Sequence, residues 1–500
     1  MAFPTLTCSA SKLRFAHSQT LSRRMSPNLP ERWPRCSVKI LGMNTTPHWD
    51  ARTWDTERLL ELDLAHILHP VTNLHRHAKS GPLILTKGDG IHVWDSIGKR
   101  YIDGFAGLWN INVGHGRTVL AEAAKNQINQ LAFAPNFFGI ATPPSIELAA
   151  KLAEMMPGHL NHFQFNSGGS ESNESAIKIA RYYWSIQGKT EKIKIISRHG
   201  AYHGVGGVTT TATGIPAYWK DFGPAAEGFV YVSSPNLYRN KPADMSLEGF
   251  IQHLETELEA TIAVEGAKTI AALIGEPTQG AGGVCAAPDG YWAMVQRVLK
   301  KHDILLIADE VITGFGRSGQ MFGHQTYGFT PDLICIAKGI TSGYIPLGAV
   351  GISDEIVAAL QAPDRMFMHG FTYSGHPVAC AVALENIKLL EDEHLPENAR
   401  VMGEQLLRDM TAAVADHAHV GDIRAKGLMM LVEVVQDRTS KQSYPALSIG
   451  GKLQAATRSR GLIVRCGDNG VAIAPPLTIS SSEIEELVGI VSDSLEVLTG

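Results

Sequence analysis

Two short segments decide the fold: Ile304-Leu305-Leu306-Ile307-Ala308-Asp309-Glu310-Val311 and Leu333-Ile334-Cys335-Ile336-Ala337-Lys338-Gly339. Each is an apolar run, too short for a typical helix, that ends in a charged residue and turn-like sequence. Continuous apolar runs of this length are typical of buried parallel strands. Ligands of open α/β sheets bind outside the carboxyl ends of the strands, so Asp309 and Lys338 are expected to reach the same crevice.

A lysine and an aspartate in one crevice suit a particular cofactor chemistry. The lysine can form a Schiff base and the aspartate can keep a pyridinium nitrogen protonated, which is the protein's part in pyridoxal-phosphate (PLP) chemistry. An ion pair at the edge of the sheet is the simpler explanation for these two charges taken alone. The PLP hypothesis therefore requires a phosphate site and a partner for the cofactor ring elsewhere in the chain.

Residues 166–173, Asn-Ser-Gly-Gly-Ser-Glu-Ser-Asn, supply a candidate phosphate site. Glycines let the backbone approach an anion, Ser170 can donate a hydroxyl, and a helix is predicted just after this segment, with Ile177, Ala180 and Trp184 on its apolar face. Such a turn taken alone is more often an ordinary helix cap. Tyr202, which follows the predicted strand 194–197, offers a flat surface for a ring.

Six motifs in chain order resemble those of the class III aminotransferases, which are fold-type-I PLP enzymes. They are Gly-Gly-Ser-Glu-Ser-Asn at 168–173, Tyr-His-Gly at 202–204, Gly-Glu-Pro at 275–277, Asp-Glu-Val-Ile-Thr-Gly-Phe-Gly-Arg at 309–317, Ala-Lys-Gly at 337–339 and His-Gly-Phe-Thr-Tyr-Ser-Gly-His-Pro at 369–377. The resemblance extends from about Leu68 to the C-terminus.

The resemblance implies a role for each matching residue. Lys338 would form the Schiff base with PLP, and Asp309 would pair with the pyridinium nitrogen. The remaining cofactor-binding residues are expected to be Gly169 and Ser170 at the phosphate, Tyr202 and Val311 on the two faces of the ring, and Glu276 of the Gly-Glu-Pro motif. Thr372 would reach the phosphate from the neighbouring subunit, which makes a homodimer the minimum active unit and leaves a homotetramer open.

The predicted fold class is α/β, a PLP-dependent transferase of fold type I. Its large domain, residues 110–375, is expected to hold a mainly parallel sheet, with strands at 163–165, 193–197, 229–232, 270–275, 304–308 and 333–337. A smaller α+β domain would be formed by residues 43–109 and residues 376–500. The first segment is expected to contain a hairpin of strands at 90–95 and 99–103, and the second to contain strands at 428–435 and 461–465.

Composition excludes several other classes of protein. A formal charge of −5 over 500 residues gives no electrostatic reason to expect a nucleic-acid partner, and no apolar run is long enough to predict a membrane span. The six cysteines lack CxxC spacing, so neither a disulfide framework nor a zinc site is predicted, and no metal-binding residue is expected. These features favour a cytoplasmic protein.

Residues 1–42 differ in composition from the rest, with seven Lys or Arg, a single acid and many Ser and Pro. This composition predicts a disordered segment outside the fold, either an organelle (mitochondrial) transit peptide or sequence upstream of a true start at Met43.

One motif supports a competing function. Residues 314–319, Gly-Phe-Gly-Arg-Ser-Gly, match the GxGxxG pattern of dinucleotide-binding sites and follow a predicted strand. The sequence after them lacks helical periodicity. The next strand ends in Lys338, whereas a dinucleotide-binding site would have an acidic residue there to bind the ribose hydroxyls. An NAD-dependent dehydrogenase is thus a remote alternative, and a non-enzymatic relative would be expected to have lost Lys338 or Asp309.

Within the family, the substrate residues resemble those of the ω-aminotransferases that pass an amino group from an amine or ω-amino acid to pyruvate. Leu108 and Trp109 match a Leu-Trp pair that lines their pocket, and Phe138 matches an aromatic wall. Arg465 matches a mobile arginine that binds the keto-acid carboxylate. Ala281 stands where ornithine-type relatives carry a glutamate. A 4-aminobutyrate or diamine aminotransferase that uses 2-oxoglutarate remains the alternative.

Overall fold

The computed structural model describes residues 54–499, so the segment 1–42 and its possible roles lie outside the described residues. The chain starts with two helices, α1 (Thr56–His66) and α2 (Leu74–Ser80), followed by strands β1 (Leu85–Asp89), β2 (His92–Asp95) and β3 (Arg100–Asp103). Strands β2 and β3 pair antiparallel, which confirms the predicted hairpin.

The middle of the chain alternates helices and strands. Its elements are α3 (Ala106–Trp109), α4 (Thr118–Leu131), α5 (Pro143–Met155), β4 (His162–Asn166), α6 (Gly169–Ile186), β5 (Lys194–Arg198), α7 (Gly207–Ala212), β6 (Phe229–Val232), α8 (Leu237–Asn240), α9 (Leu247–Glu265), β7 (Ile270–Gly275), β8 (Thr278–Gln279), β9 (Cys285–Ala286), α10 (Tyr291–Lys301), β10 (Leu305–Asp309), α11 (Gly323–Tyr327), β11 (Leu333–Ile336), β12 (Gly348–Ile352) and α12 (Asp354–Leu360).

Seven of these strands form one sheet in the order β4-β12-β11-β10-β7-β5-β6. Strand β12 pairs antiparallel with both of its neighbours, while the pairings from β11 to β6 are all parallel. Every residue of β7 and β11 is buried, as expected for strands covered on both faces. The mainly parallel sheet is therefore confirmed. The strand β12 was not predicted.

Helix α6 covers one face of this sheet. Ile177, Ala180 and Trp184 are fully buried while Lys178 is exposed, so the predicted apolar face is confirmed. The helix begins at Gly169, within the Ser/Gly segment rather than after it. The glycines therefore form the first turn of the helix itself.

The C-terminal part contributes α13 (Pro377–Asp392), α14 (Leu395–Val414), β13 (Val420–Ala425), β14 (Met430–Val434), α15 (Gly450–Ser459), β15 (Leu462–Ile463), β16 (Arg465–Gly467), β17 (Gly470–Ile473) and α16 (Ser481–Leu495). Strands β13, β14, β17 and β16 form an antiparallel sheet, and β15 joins the N-terminal strands by pairing with β3. N- and C-terminal segments thus share a sheet, while the exact domain boundaries stay a prediction. No helix within residues 54–499 is long and apolar enough to cross a bilayer.

Candidate active site

The site lies at the carboxyl ends of β10 and β11. Asp309 is the last residue of β10 and pairs in register with Cys335 of β11, and Lys338 follows β11 directly after Ala337. The two charged residues therefore lie at the same edge of the sheet, as the sequence predicted.

Three hydrogen-bond donors surround the Asp309 carboxylate, which is 3 % exposed. Oδ2 accepts from Asn173 Nδ2 at 2.7 Å and from His203 Nδ1 at 2.7 Å, and Oδ1 accepts from the Val311 amide at 3.1 Å. These donors stabilise the negative charge of a carboxylate that burial would otherwise disfavour. The sequence analysis assigned no role to His203 or Asn173, although both occur in its motifs.

Lys338 adopts an unusual backbone conformation, with φ +48°. A left-handed conformation is costly for a residue with a side chain and has to be held by its surroundings. Asn386 Nδ2 supplies part of this support by donating to the carbonyls of Gly339 at 2.8 Å and Ile340 at 3.0 Å. Gly339 has no room for a Cβ, which would lie 2.5 Å from Asn112 Nδ2.

Burial also changes the chemistry of the lysine. Loss of solvation lowers the pKa of Lys338 to about 8, while the nearby carboxylates of Asp309 and Glu276 oppose this shift. An amine with such a pKa is partly neutral near neutral pH, so it can act as a nucleophile or accept a proton.

The first turn of α6 has the features of an anion site. The cap residue Gly168 has no side chain with which to bond the free amides of the turn, and Ser170 adds a half-exposed hydroxyl. The backbone packs tightly here, because a Cβ on Gly169 would lie 2.7 Å from Val311 Cγ1 and one on Gly204 would lie 2.5 Å from Ser170 Oγ. Gly169, Ser170 and Val311 are thus brought together as predicted.

Tyr202 and Glu276 are linked through the backbone. One carboxylate oxygen of Glu276 accepts from the Tyr202 amide at 3.0 Å, and the other accepts from the Gly280 amide at 2.8 Å. Burial raises the pKa of Glu276. Both carboxylate oxygens of Glu276 therefore hold loop backbone in place. The observed contacts give Glu276 a role in positioning Tyr202, and they do not include an oxygen left free for a cofactor.

Arg465, on β16, lies on the other side of the crevice. Its guanidinium is exposed and donates only weakly, through Nη1, to the Ala281 carbonyl at 3.4 Å. Within residues 54–499, no carboxylate forms an ion pair with it. Its positive charge acts on the pKa values of both Lys338 and Tyr202, so the three side chains share one electrostatic environment.

A small cavity in front of Arg465 is lined by Gly280, Ala281, Gly283, Leu431, Arg465, Gly467, Asn469, Gly470 and Ala472. Trp109 belongs to the buried apolar cluster that includes Leu431 and Ala472, and its ring contacts the edge of Phe105 at 4.7 Å between centroids. Trp109 is only 2 % exposed, whereas Leu108 is largely exposed. The indole is therefore buried in the same cluster as two residues that line the cavity.

Phe138 and Thr372 lie on a different, exposed surface. Phe138 is 96 % exposed, and its neighbour Phe137 packs against Gly370, in the loop that carries Thr372. The ring contact of Phe138 within residues 54–499 is to Phe137. The roles of Phe138 and Thr372 at the site stay predictions.

The GxGxxG segment is a buried turn rather than the start of a nucleotide-binding helix. Arg317 within it is fully buried and donates to the carbonyls of Leu428 and Pro475 and to Asn112 Oδ1. The next helix, α11, begins only at Gly323, and Glu310 already accepts hydrogen bonds from its first amides, those of Gly323 and His324. The segment offers no free helix N-terminus for a dinucleotide.

Together, these groups fit pyridoxal phosphate. The buried carboxylate of Asp309 can pair with a pyridinium nitrogen, and the uncapped amides at the start of α6 can bind a phosphate. The amine of Lys338, with its lowered pKa, can attack a carbonyl carbon. This set of groups has the chemistry that a PLP enzyme requires.

Comparison with known proteins agrees with this description. Residues 74–495 match the family model of the class-III aminotransferases, so the chain belongs to this PLP-dependent family. The putrescine--pyruvate aminotransferase of Pseudomonas aeruginosa is 40% identical over 431 residues, or 86% of this chain and 94% of that protein. The diaminobutyrate--2-oxoglutarate transaminase of Halomonas elongata is 38% identical over 440 residues, covering 86% and 94%.

A solved structure is more similar still. The thermostable (S)-enantioselective omega-transaminase from Thermomicrobium roseum is 56% identical, covers 90% of this chain and 100% of its own, and superposes with a TM-score of 0.88. The predicted fold, family and enzyme class are thus confirmed, and the dehydrogenase alternative is excluded.

Proposed function

We propose that this aminotransferase moves an amino group from an amine or ω-amino acid to pyruvate, giving alanine and an aldehyde or ketone. The observation that carries the proposal is the exposed guanidinium of Arg465, which has no carboxylate partner within residues 54–499 and whose charge lowers the pKa of Lys338. A planar guanidinium can bind a carboxylate through two parallel hydrogen bonds and release it for an uncharged donor.

The chain's own residues have distinct tasks in this reaction. Bound pyridoxal phosphate supplies an electron sink for the carbon that carries the transferred nitrogen. Lys338 Nζ would hold the cofactor and, when free, would accept a proton from the substrate and return it, because its lowered pKa makes the neutral amine available. Asp309 holds the ring-nitrogen proton, Gly169 and Ser170 bind the phosphate, and Tyr202 and Val311 confine the ring.

The charged groups around Arg465 favour a monocarboxylate as the acceptor. Arg465 is the only charged residue among those that line the cavity in front of it. Arg424 contacts the carbonyl of Gly283 nearby, but it is already paired with Asp422 at 2.7 Å and Glu433 at 2.5 Å. A second carboxylate, as in 2-oxoglutarate, would find no unpaired cation among these groups.

A homodimer would complete the site. Thr372 and Phe138 are exposed and share one surface through Phe137 and Gly370, which supports the expectation that this surface is offered to a partner subunit. On this proposal, Thr372 donates its hydroxyl to the phosphate of the partner's site, and Phe138 contributes to its aromatic wall. Trp109 and Leu108 would complete the wall around the donor. The assembly beyond a dimer and the cellular location stay predictions.

A panel of donors and acceptors tests the proposal. Purified holoenzyme is incubated with β-alanine, 4-aminobutyrate, putrescine or an aryl amine, each with pyruvate, 2-oxoglutarate or glyoxylate, and the amino-acid product is quantified. We expect alanine from pyruvate to be the main product. Higher kcat/KM for 2-oxoglutarate than for pyruvate with every donor would establish the alternative, and the Lys338→Ala variant serves as the blank.

A further inference from the structure

The N-terminal helix pair, defined as α1, α2 and the loop between them, is held together without a core of its own. No residue of either helix is buried in the chain. Asp55 and Asn73 cap the two helices through bonds to the amides of Arg58 and Arg76. Contacts between polar side chains therefore contribute to holding the two helices together.

Three side chains provide the cross-link between α1, the loop and α2. Asp63 Oδ2 lies 3.0 Å from Nε2 of His69 and 3.0 Å from Nε2 of His77, and Oδ1 lies 2.8 Å from His69 Nε2. The two imidazole rings are 4.3 Å apart between centroids. Within residues 54–499, this is the only group of His, Cys, Asp and Glu whose ligand atoms converge in this way.

We propose that Asp63, His69 and His77 bind a divalent transition metal ion such as zinc. A site of two imidazole nitrogens and one carboxylate oxygen favours zinc over magnesium, because magnesium prefers oxygen ligands. Zinc binds such atoms at about 2.0–2.1 Å, which in a tetrahedral site separates neighbouring ligand atoms by roughly 3.3 Å. The separations of 3.0 Å between Asp63 and each histidine nitrogen need to widen by only a few tenths of an ångström, and the ligand atoms of all three side chains lie within 4.8 Å of one another.

The surroundings leave space for the ion and for a further ligand. The side chains of Asp63, His69 and His77 are 11 %, 28 % and 12 % exposed, so the ion can enter from solvent and water can complete its coordination. Without the metal, each Nε2 carries a proton that bonds to Asp63; on binding, the proton of each neutral imidazole moves to Nδ1 and Nε2 donates its lone pair. The ion would replace two hydrogen bonds with a stronger link across the helix pair.

A glutamine variant separates a metal site from a simple hydrogen-bonded cluster. The amide of His77→Gln can still donate to Asp63 but is a poor zinc ligand. His75→Gln, at an exposed histidine on the same helix, is the matched control. Holoenzyme of each variant, treated with a chelator and freed of excess cofactor, is titrated calorimetrically with zinc and separately with magnesium, and cobalt(II) absorption reports the ligand field.

We expect the parent and His75→Gln to bind one zinc per chain, with no comparable magnesium binding, and His77→Gln to bind at least about tenfold more weakly. Zinc should also slow amide hydrogen exchange in residues 54–81 of the parent but not of His77→Gln. Equal zinc affinity in parent and His77→Gln, or no binding by the parent, would overturn the proposal. Because the site is separate from Lys338 and Arg465, either outcome leaves the proposed aminotransferase function untouched.

Discussion

Removal of the Arg465 guanidinium should separate the two halves of the amino transfer. Arg465→Ala removes an exposed cation that pairs with no carboxylate within residues 54–499, while the hydrogen bonds of Asp309 stay intact. The half-reaction with pyruvate needs that charge for its carboxylate. The half-reaction with an uncharged aryl amine does not, and it should change only as far as the pKa of Lys338 rises when a cation that lowers it is lost.

The size of the effect follows from the exposure of the guanidinium. A charged hydrogen bond contributes about 1.5–3 kcal/mol. Arg465 is exposed, so solvent screens part of this energy, and the lower end of about 1.5–2 kcal/mol applies. That corresponds to a loss of roughly ten- to thirtyfold in kcat/KM for pyruvate. Arg465→Lys keeps the charge but not the planar pair of donors, so its kcat/KM for pyruvate should lie between those of the parent and Arg465→Ala.

Stopped-flow single turnovers measure each half-reaction separately. The cofactor absorbance reports its conversion by the aryl amine, and its return after mixing with pyruvate reports the second half. Arg460→Ala, an exposed arginine that bonds only a carbonyl of its own helix, controls for loss of a surface charge. Equal losses in both half-reactions would indicate a structural arginine and would refute the assignment, as would the absence of any loss.

Three further predictions concern the cofactor. Thr372→Val should weaken PLP retention about tenfold, most clearly in dilute protein, because its phosphate contact crosses a subunit interface; retention independent of this change would mean that the site is built from one chain. The rate at which apoenzyme binds PLP covalently should rise about tenfold per pH unit up to the Lys338 pKa of about 8 and then level off, since only the neutral amine reacts. Glu276→Gln removes a charge that raises the Lys338 pKa, so the levelling-off should begin at lower pH in this variant. A pH profile that is the same in parent and Glu276→Gln would contradict the electrostatic account. His203→Leu should shift the pH titration of the bound cofactor's absorbance because the carboxylate of Asp309 loses one donor on Oδ2. His203→Gln keeps a donor and should bring the titration part of the way back to that of the parent. Identical titrations in the parent and His203→Leu would show that His203 does not position Asp309.

The fold could be predicted where local sequence carries the information. Strands β10 and β11 are continuous apolar runs because both faces of the sheet are covered, and that pattern is visible without any partner. Strand β12 was missed because Gly348–Ile352 is rich in glycine and is defined by pairing with β4, almost two hundred residues earlier in the chain. Its register depends on contacts that no local pattern records.

The site shows the same limit. Asp309 and Lys338 were recognisable because each ends a strand abruptly, whereas the bond of His203 to Asp309 joins residues 106 positions apart. The Tyr-His-Gly motif contained the only available signal. The role of Trp109 in the pocket stays a prediction, and its burial in a cluster with Leu431 and Ala472 depends on the packing of distant strands. Thr372 and Phe138 would need a second chain to complete their contacts.

Transfer of labelled nitrogen tests the central claim most directly. Holoenzyme is incubated with a ¹⁵N-labelled amine donor and unlabelled pyruvate, and alanine is analysed by mass spectrometry beside a Lys338→Ala sample. We predict ¹⁵N-alanine in amounts that match the donor consumed, and none above background with Lys338→Ala. Unlabelled alanine, no alanine, or equal labelling by the Lys338→Ala variant would contradict the account.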